Sequence, residues 1–269
     1  MIKKFNMAYR IFIVLMLSVV NTGVFAEGLY LQTLNKTVLN AEQIQKSKQK
    51  IEEHKSVTVR EKLAIEPFHK RGQINSSLEY SVCTGCHLSP PHTKSDRTRT
   101  FMNMHTQFIA CETCHFRPEN TELNYQWEDV REGKMLPAKQ ELFRQVVIPE
   151  EKPEERIKTL HSVNKITPFY QKEAVVLRKN SAFAQETVRI WMDGSLEAKA
   201  KRRALIHAPL QKEGPECQAC HDKQQNFLNL TGLGATTYQI EKIQNNIIAQ
   251  FFARYKDKEQ RIRIMSILQ

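Results

Sequence analysis

All 6 Cys of this 269-residue chain fall inside three copies of one five-residue pattern. The copies are Cys83-Thr84-Gly85-Cys86-His87, Cys111-Glu112-Thr113-Cys114-His115 and Cys217-Gln218-Ala219-Cys220-His221. Two thiols three residues apart lie on the same side of a helical turn. From there they can form two thioethers with the vinyl groups of one porphyrin, and the His that follows falls beneath the iron. A C-x-x-C pair also serves as a redox dithiol or as half a zinc site, but neither role explains a His after every second Cys. The pattern therefore predicts three covalent c-type haems, held by Cys83 and Cys86, Cys111 and Cys114, and Cys217 and Cys220. His87, His115 and His221 are the expected proximal iron ligands. No thiol remains for a disulfide or a nucleophile.

The N-terminus carries the marks of a secretory signal. Lys3, Lys4 and Arg10 form a basic region, residues 11–20 are apolar, and Val24-Phe25-Ala26 offers small residues for cleavage before Glu27. The apolar run is short for a bilayer span, which takes about 20 residues. The expected mature protein is soluble and periplasmic, where c-type haems are attached; the alternative is a tether through an uncleaved N-terminus. Removing the segment takes away three basic residues and no acidic one, so the net charge falls from +11 to +8. Six haem propionates and three ferric centres would lower it further, to about +5 oxidised and about +2 reduced. Such a surface suits an acidic redox partner. Charge alone, without a motif, gives no ground for nucleic-acid binding.

Four segments are expected: a signal at 1–26, a di-haem region at 27–135, a haem-free insert at 136–206, and a mono-haem region at 207–269. Asn40 and Gln43 have capping-box spacing and predict a surface arm helix. Only 24 positions separate His87 from Cys111, which holds the first two haems close together. In the insert, Pro137, Pro149, Pro153 and Pro168 break the chain, residues 150–156 read as an exposed loop, and helices are expected over 182–191 and 196–206. Lys199, Lys201, Arg202 and Arg203 on the second helix read as a solvated face, or else as a docking patch or propionate partners. Thr236 and Gln239 cap a long amphipathic helix with Ile240, Ile243, Ile247, Phe251 and Tyr255 on one stripe. Scarce Gly and few hairpin signals predict a mostly α fold, with extensive irregular chain wrapped around haem and no large sheet.

Nine His are present. Of the six outside the motifs, His105 stands six residues before Cys111 and His207 ten before Cys217, so both are candidate distal ligands. His69, fourteen before Cys83, and His92, five after His87, are further candidates; His92 is better placed for the adjacent haem than for its own. His54 and His161 are weaker choices. Met102, Met104 and Met192 are second-rank ligands that would raise the potential.

With His105 through His115 reading H-x5-C-x-x-C-H, the chain resembles the multihaem c-type cytochromes over segments 69–115 and 207–221. The resemblance implies electron transfer between periplasmic or membrane partners, usually with bis-His irons. A membrane cytochrome or a quinol-oxidising complex would be such a partner. The chain lacks a fourth motif and any C-x-x-C-K, and its haem-free stretch over 116–206, about 90 residues, is one that small trihaem types do not have. Electron carriage is the leading expectation. The alternatives are a haem enzyme reducing a small oxyanion or peroxide at an open iron, with Arg97, Arg99, Arg202 or Arg203 drawing in the anion, and an electron-entry subunit of a larger complex.

Overall fold

The computed structural model describes residues 28–53, 80–87, 92, 102–139, 163–224 and 227–255. The signal segment, His54, His69, His161, the loop at 150–156 and the C-terminal residues 261–269 lie outside the described residues. Among the described residues no helix is long and apolar enough to cross a membrane.

Among the described residues the first element is α1 (Leu29–Lys36), whose Tyr30 and Leu34, four residues apart, form its buried stripe. Tyr30 stacks on Phe116 at 4.9 Å, and its hydroxyl donates to the Ile206 carbonyl at 2.7 Å. Helix α2 (Ala41–Glu52) begins with the expected capping box between Asn40 and Gln43. It lies on the surface, with Ser47 its one buried residue. It packs on a later helix, α6 (Leu196–His207), and Ser47 is buried where Arg203 Nη1 donates to its hydroxyl at 3.2 Å. Each C-x-x-C-H motif forms a single helical turn: α3 (Val82–Cys86), α4 (Cys111–His115) and α7 (Cys217–His221).

The expectation of no large sheet is corrected by a four-stranded antiparallel sheet. Its strands are β1 (Asn124–Asp129), β2 (Lys134–Met135), β3 (Asn164–Tyr170) and β4 (Glu173–Ala174), in the order β2-β1-β3-β4. β1 and β3 pair along their length, from Asn124 opposite Phe169 to Asp129 opposite Asn164. Three local features concealed it. Pro168 lies within β3 opposite Tyr125, and its carbonyl still accepts from Val175 N at 2.7 Å just past the end of the short β4. Gln171 and Lys172 form the β3–β4 turn with φ of 49° and 71°, a conformation usually signalled by Asn-Gly or Asp-Gly. Finally, β3 is buried from Lys165 to Phe169 without alternation, because both of its faces are covered.

Helices α5 (Ala182–Asp193) and α6 follow as expected, each with a Ser N-cap, Ser181 and Ser195. The long C-terminal helix is corrected to two shorter ones, α8 (Thr237–Gln244) and α9 (Ile247–Arg254). The Thr236–Gln239 box caps the first, and Asn246 caps the second by accepting from Ala249 N at 3.0 Å. The single apolar stripe is split accordingly. Ile240 and Ile243 pack on a core of Trp127, Ile166, Leu228 and Leu233, while Ile247 is exposed. A second core joins Tyr30, Leu34, Val82, Phe116, Leu177 and Ile206, drawn from distant parts of the chain.

Candidate functional site

Strand β3 holds the second motif, and segments packed beside the sheet hold the other two. The strand lies beside residues 108–110: Ile166 N donates to Phe108 O at 2.6 Å, and Ala110 N to Ile166 O at 3.0 Å. The same Ile166 carbonyl accepts from the buried Thr113 hydroxyl at 2.8 Å, inside the second motif. Lys165 Nζ donates to the carbonyls of Thr106, at 2.5 Å, and Gln107, at 3.1 Å, and so ties down the turn that carries His105. The chain beyond β4 holds the first motif through Val82 N to Leu177 O, 2.9 Å. On the third motif's side, Trp127 Nε1 donates to Leu233 O at 2.9 Å, and Phe227 N to Ala219 O at 3.1 Å.

Each motif His faces one His from outside the motifs. The ring centres of His87 and His207 are 6.1 Å apart, those of His115 and His92 6.4 Å, and those of His221 and His105 6.1 Å. Ordinary aromatic pairs span about 4.5–7 Å, so the distances alone fit plain ring contacts. The selectivity is the sharper fact: every pair joins a motif His to a non-motif His. Two imidazole nitrogens bound on opposite sides of one metal, each about 2 Å from it, would also put ring centres about 6 Å apart.

The outer hydrogen bonds of the rings complete the arrangement. His115 Nδ1 meets Gln211 O at 2.8 Å, His207 Nδ1 meets Arg203 O at 2.8 Å, and His221 Nδ1 meets Ile243 O at 2.6 Å. A carbonyl only accepts, so Nδ1 carries the proton in each and the lone pair is left on Nε2, as in metal-ligating His. Asn103 clamps His92 by three contacts: Oδ1 accepts from the His92 N–H at 3.0 Å, Oδ1 meets Nδ1 at 3.0 Å, and Nδ2 donates to the His92 carbonyl at 3.1 Å. Burial, with the nearby Arg203 charge, holds His87 and His207 below the usual imidazole range. Neutral imidazole is the ligating form.

A redox dithiol depends on a depressed thiol pKa within one motif. Burial pushes Cys114 up to about 11 and Cys220 up to about 12. Cys111 is lowered, chiefly by the neighbouring Cys83 of another motif rather than by Cys114. Among the described residues no three His, Cys, Asp or Glu converge as a bare metal ion would require. What converges are pairs of His, which suit a group that brings its own equatorial ligands.

Within the second motif Glu112 is fully buried. Its Oε1 accepts from Cys83 Sγ at 3.6 Å and its Oε2 has no partner. Burial raises its carboxyl above the usual range, against the hydrogen bond from Cys83 and the charge of Arg178. Arg178 is itself bonded to the buried Glu128.

Of the other expected residues, Met104 and Met192 are exposed. The basic face of α6 divides. Lys201 pairs with Glu197 at 3.0 Å in solvent, whereas Arg202 lies over the Phe183 ring at 4.3 Å and Arg203 reaches Ser47. The features that sequence reasoning missed are Asn103 and the accepting backbone carbonyls of Arg203, Gln211 and Ile243. Only the position of Arg203, one helical turn before His207, could have been suspected. No family model, curated protein or solved structure matches the chain.

Proposed function

We propose that the protein is an exported trihaem c-type cytochrome that carries electrons between redox partner proteins. Each haem would be bound through two thioethers and two imidazoles: Cys83 and Cys86 with His87 and His207, Cys111 and Cys114 with His115 and His92, Cys217 and Cys220 with His221 and His105. The observation that carries this reading is the set of three His–His pairs, each joining a motif His to one other His at 6.1–6.4 Å. The haem supplies one-electron chemistry when bound. The chain orients the imidazoles through their Nδ1 contacts and places the attachment thiols. Two protein ligands per iron leave no position open for a substrate, which favours electron carriage over reduction of an oxyanion or peroxide.

The test is the exported protein, made in a host that attaches haem c. Its mass should exceed that of the polypeptide by three haems, and the ferric protein should show only low-spin signals by electron paramagnetic resonance. Absence of the added mass overturns the cofactor. A high-spin centre, or stoichiometric carbon monoxide binding to the reduced protein, overturns the carrier reading in favour of an enzyme.

A further inference from the structure

The second motif touches the first and also touches the connector that leads into the third. On one side, Cys83 Sγ of the first motif donates to Glu112 Oε1 of the second at 3.6 Å. Glu112 directly follows Cys111, so the first thioether positions of motifs one and two adjoin. On the other side, the connector that feeds the third motif runs along the second. Gln211 O meets His115 Nδ1 at 2.8 Å, Gln211 Nε2 donates to Arg117 O at 3.0 Å, and Arg117 Nη2 donates to Glu213 O at 2.7 Å. A Cβ built on Gly214 would lie 3.6 Å from the Cys114 Cβ. Cys114 and Cys220 both lie within electrostatic reach of Tyr125, which packs in the core beside Cys220.

The distal residues follow the same order. The connector places His207 opposite His87, Gln211 against His115 and then enters the third motif at Cys217. The one stretch from His207 to Cys217 therefore passes site one, site two and site three in turn.

We infer that the three haem sites form a line with the second motif in the middle, so that electrons enter and leave at sites one and three and cross through site two. This inference rests on the proposed haem binding and adds the order of the sites and the two ends that partners address. Every step moves one electron: the reduced partner is oxidised at one end, each site is reduced and reoxidised in turn, and the oxidised partner is reduced at the other end. No bond is made or broken. The end served by His207 lies on α6 and α2, and the end served by His221 lies on α7, α8 and α9.

The experiment uses the full haem-loaded chain with His207→Ala, His92→Ala and His105→Ala, one at a time. Each variant loses one low-spin signal, which assigns the three signals to the three sites. Interactions between centres weaken with distance, so a new high-spin centre should alter the signals of its neighbours only. His92→Ala should alter both remaining signals. His207→Ala and His105→Ala should each alter the one signal that His92→Ala removes, and leave the other as it was. If His207→Ala and His105→Ala alter each other's signals, or His92→Ala alters at most one, the linear order is overturned. Should an Ala variant fail to accumulate, the Met replacement at the same position raises that site's potential, and the same neighbour pattern is read from shifts in the other midpoint potentials. A wild-type protein without three covalent haems by mass overturns the functional reading itself, a result distinct from a wrong order.

Discussion

Asn103 is a small residue with a large share in the second site. Its amide meets the backbone N–H, the ring Nδ1 and the carbonyl of His92 at 3.0, 3.0 and 3.1 Å. Among the described residues, this clamp holds His92 where its ring lies 6.4 Å from that of His115. Leu has a similar volume and no polar atoms. Asn103→Leu should leave three haems attached but convert one low-spin centre partly to high spin in the ferric spectrum. Asn103→Asp keeps the acceptor oxygen and should retain the low-spin centre. An unchanged spectrum in the Leu variant would remove Asn103 from the site.

The break between α8 and α9 shows the same economy in an element. In a continuous helix the Ile243 carbonyl would accept from the N–H of residue 247. With Asn246 as the N-cap of α9, that carbonyl instead meets His221 Nδ1 at 2.6 Å. Helix geometry is thus interrupted where a motif His needs an acceptor. Asn246→Ala removes a cap worth about 1 kcal/mol and favours the continuous helix. The expected outcome is a lower unfolding midpoint in denaturant, together with a raised midpoint potential at the third site, because the hydrogen bond to Nδ1 makes the ligand more basic. A stability loss with no change in any of the three potentials would show that the cap matters to the helix alone.

Long-range contacts hold the sites at the scale of the whole molecule. The Tyr30 hydroxyl reaches the carbonyl of Ile206, 176 residues away and next to His207. Tyr30→Phe keeps the stacking on Phe116 and removes this bond. It should cost about 1 kcal/mol in denaturant unfolding and broaden the signal of the first site. Loss of stability without that broadening would limit Tyr30 to core packing. The sheet works in the same way: β3 binds residues 108–110, Thr113 and, through Lys165, the turn beside His105. The segment read from sequence as an insert without haem is the frame on which the motifs are set.

The sequence by itself determined the local chemistry. It gave three Cys pairs at helical spacing, a His after each, capping boxes at Asn40 and Thr236, and the helices ending near Asp193 and His207, because these depend on neighbours three or four residues apart. The sheet was hidden because Pro168, Gln171 and Lys172 do what local propensity disfavours, and the buried β3 has no alternation to read. Only the tertiary structure decided which His faces which. His105 lies six residues from the second motif yet faces the third, and His207 lies ten from the third yet faces the first. Distance along the chain does not specify those partners, since they are set by sheet pairing and by contacts between segments far apart in sequence.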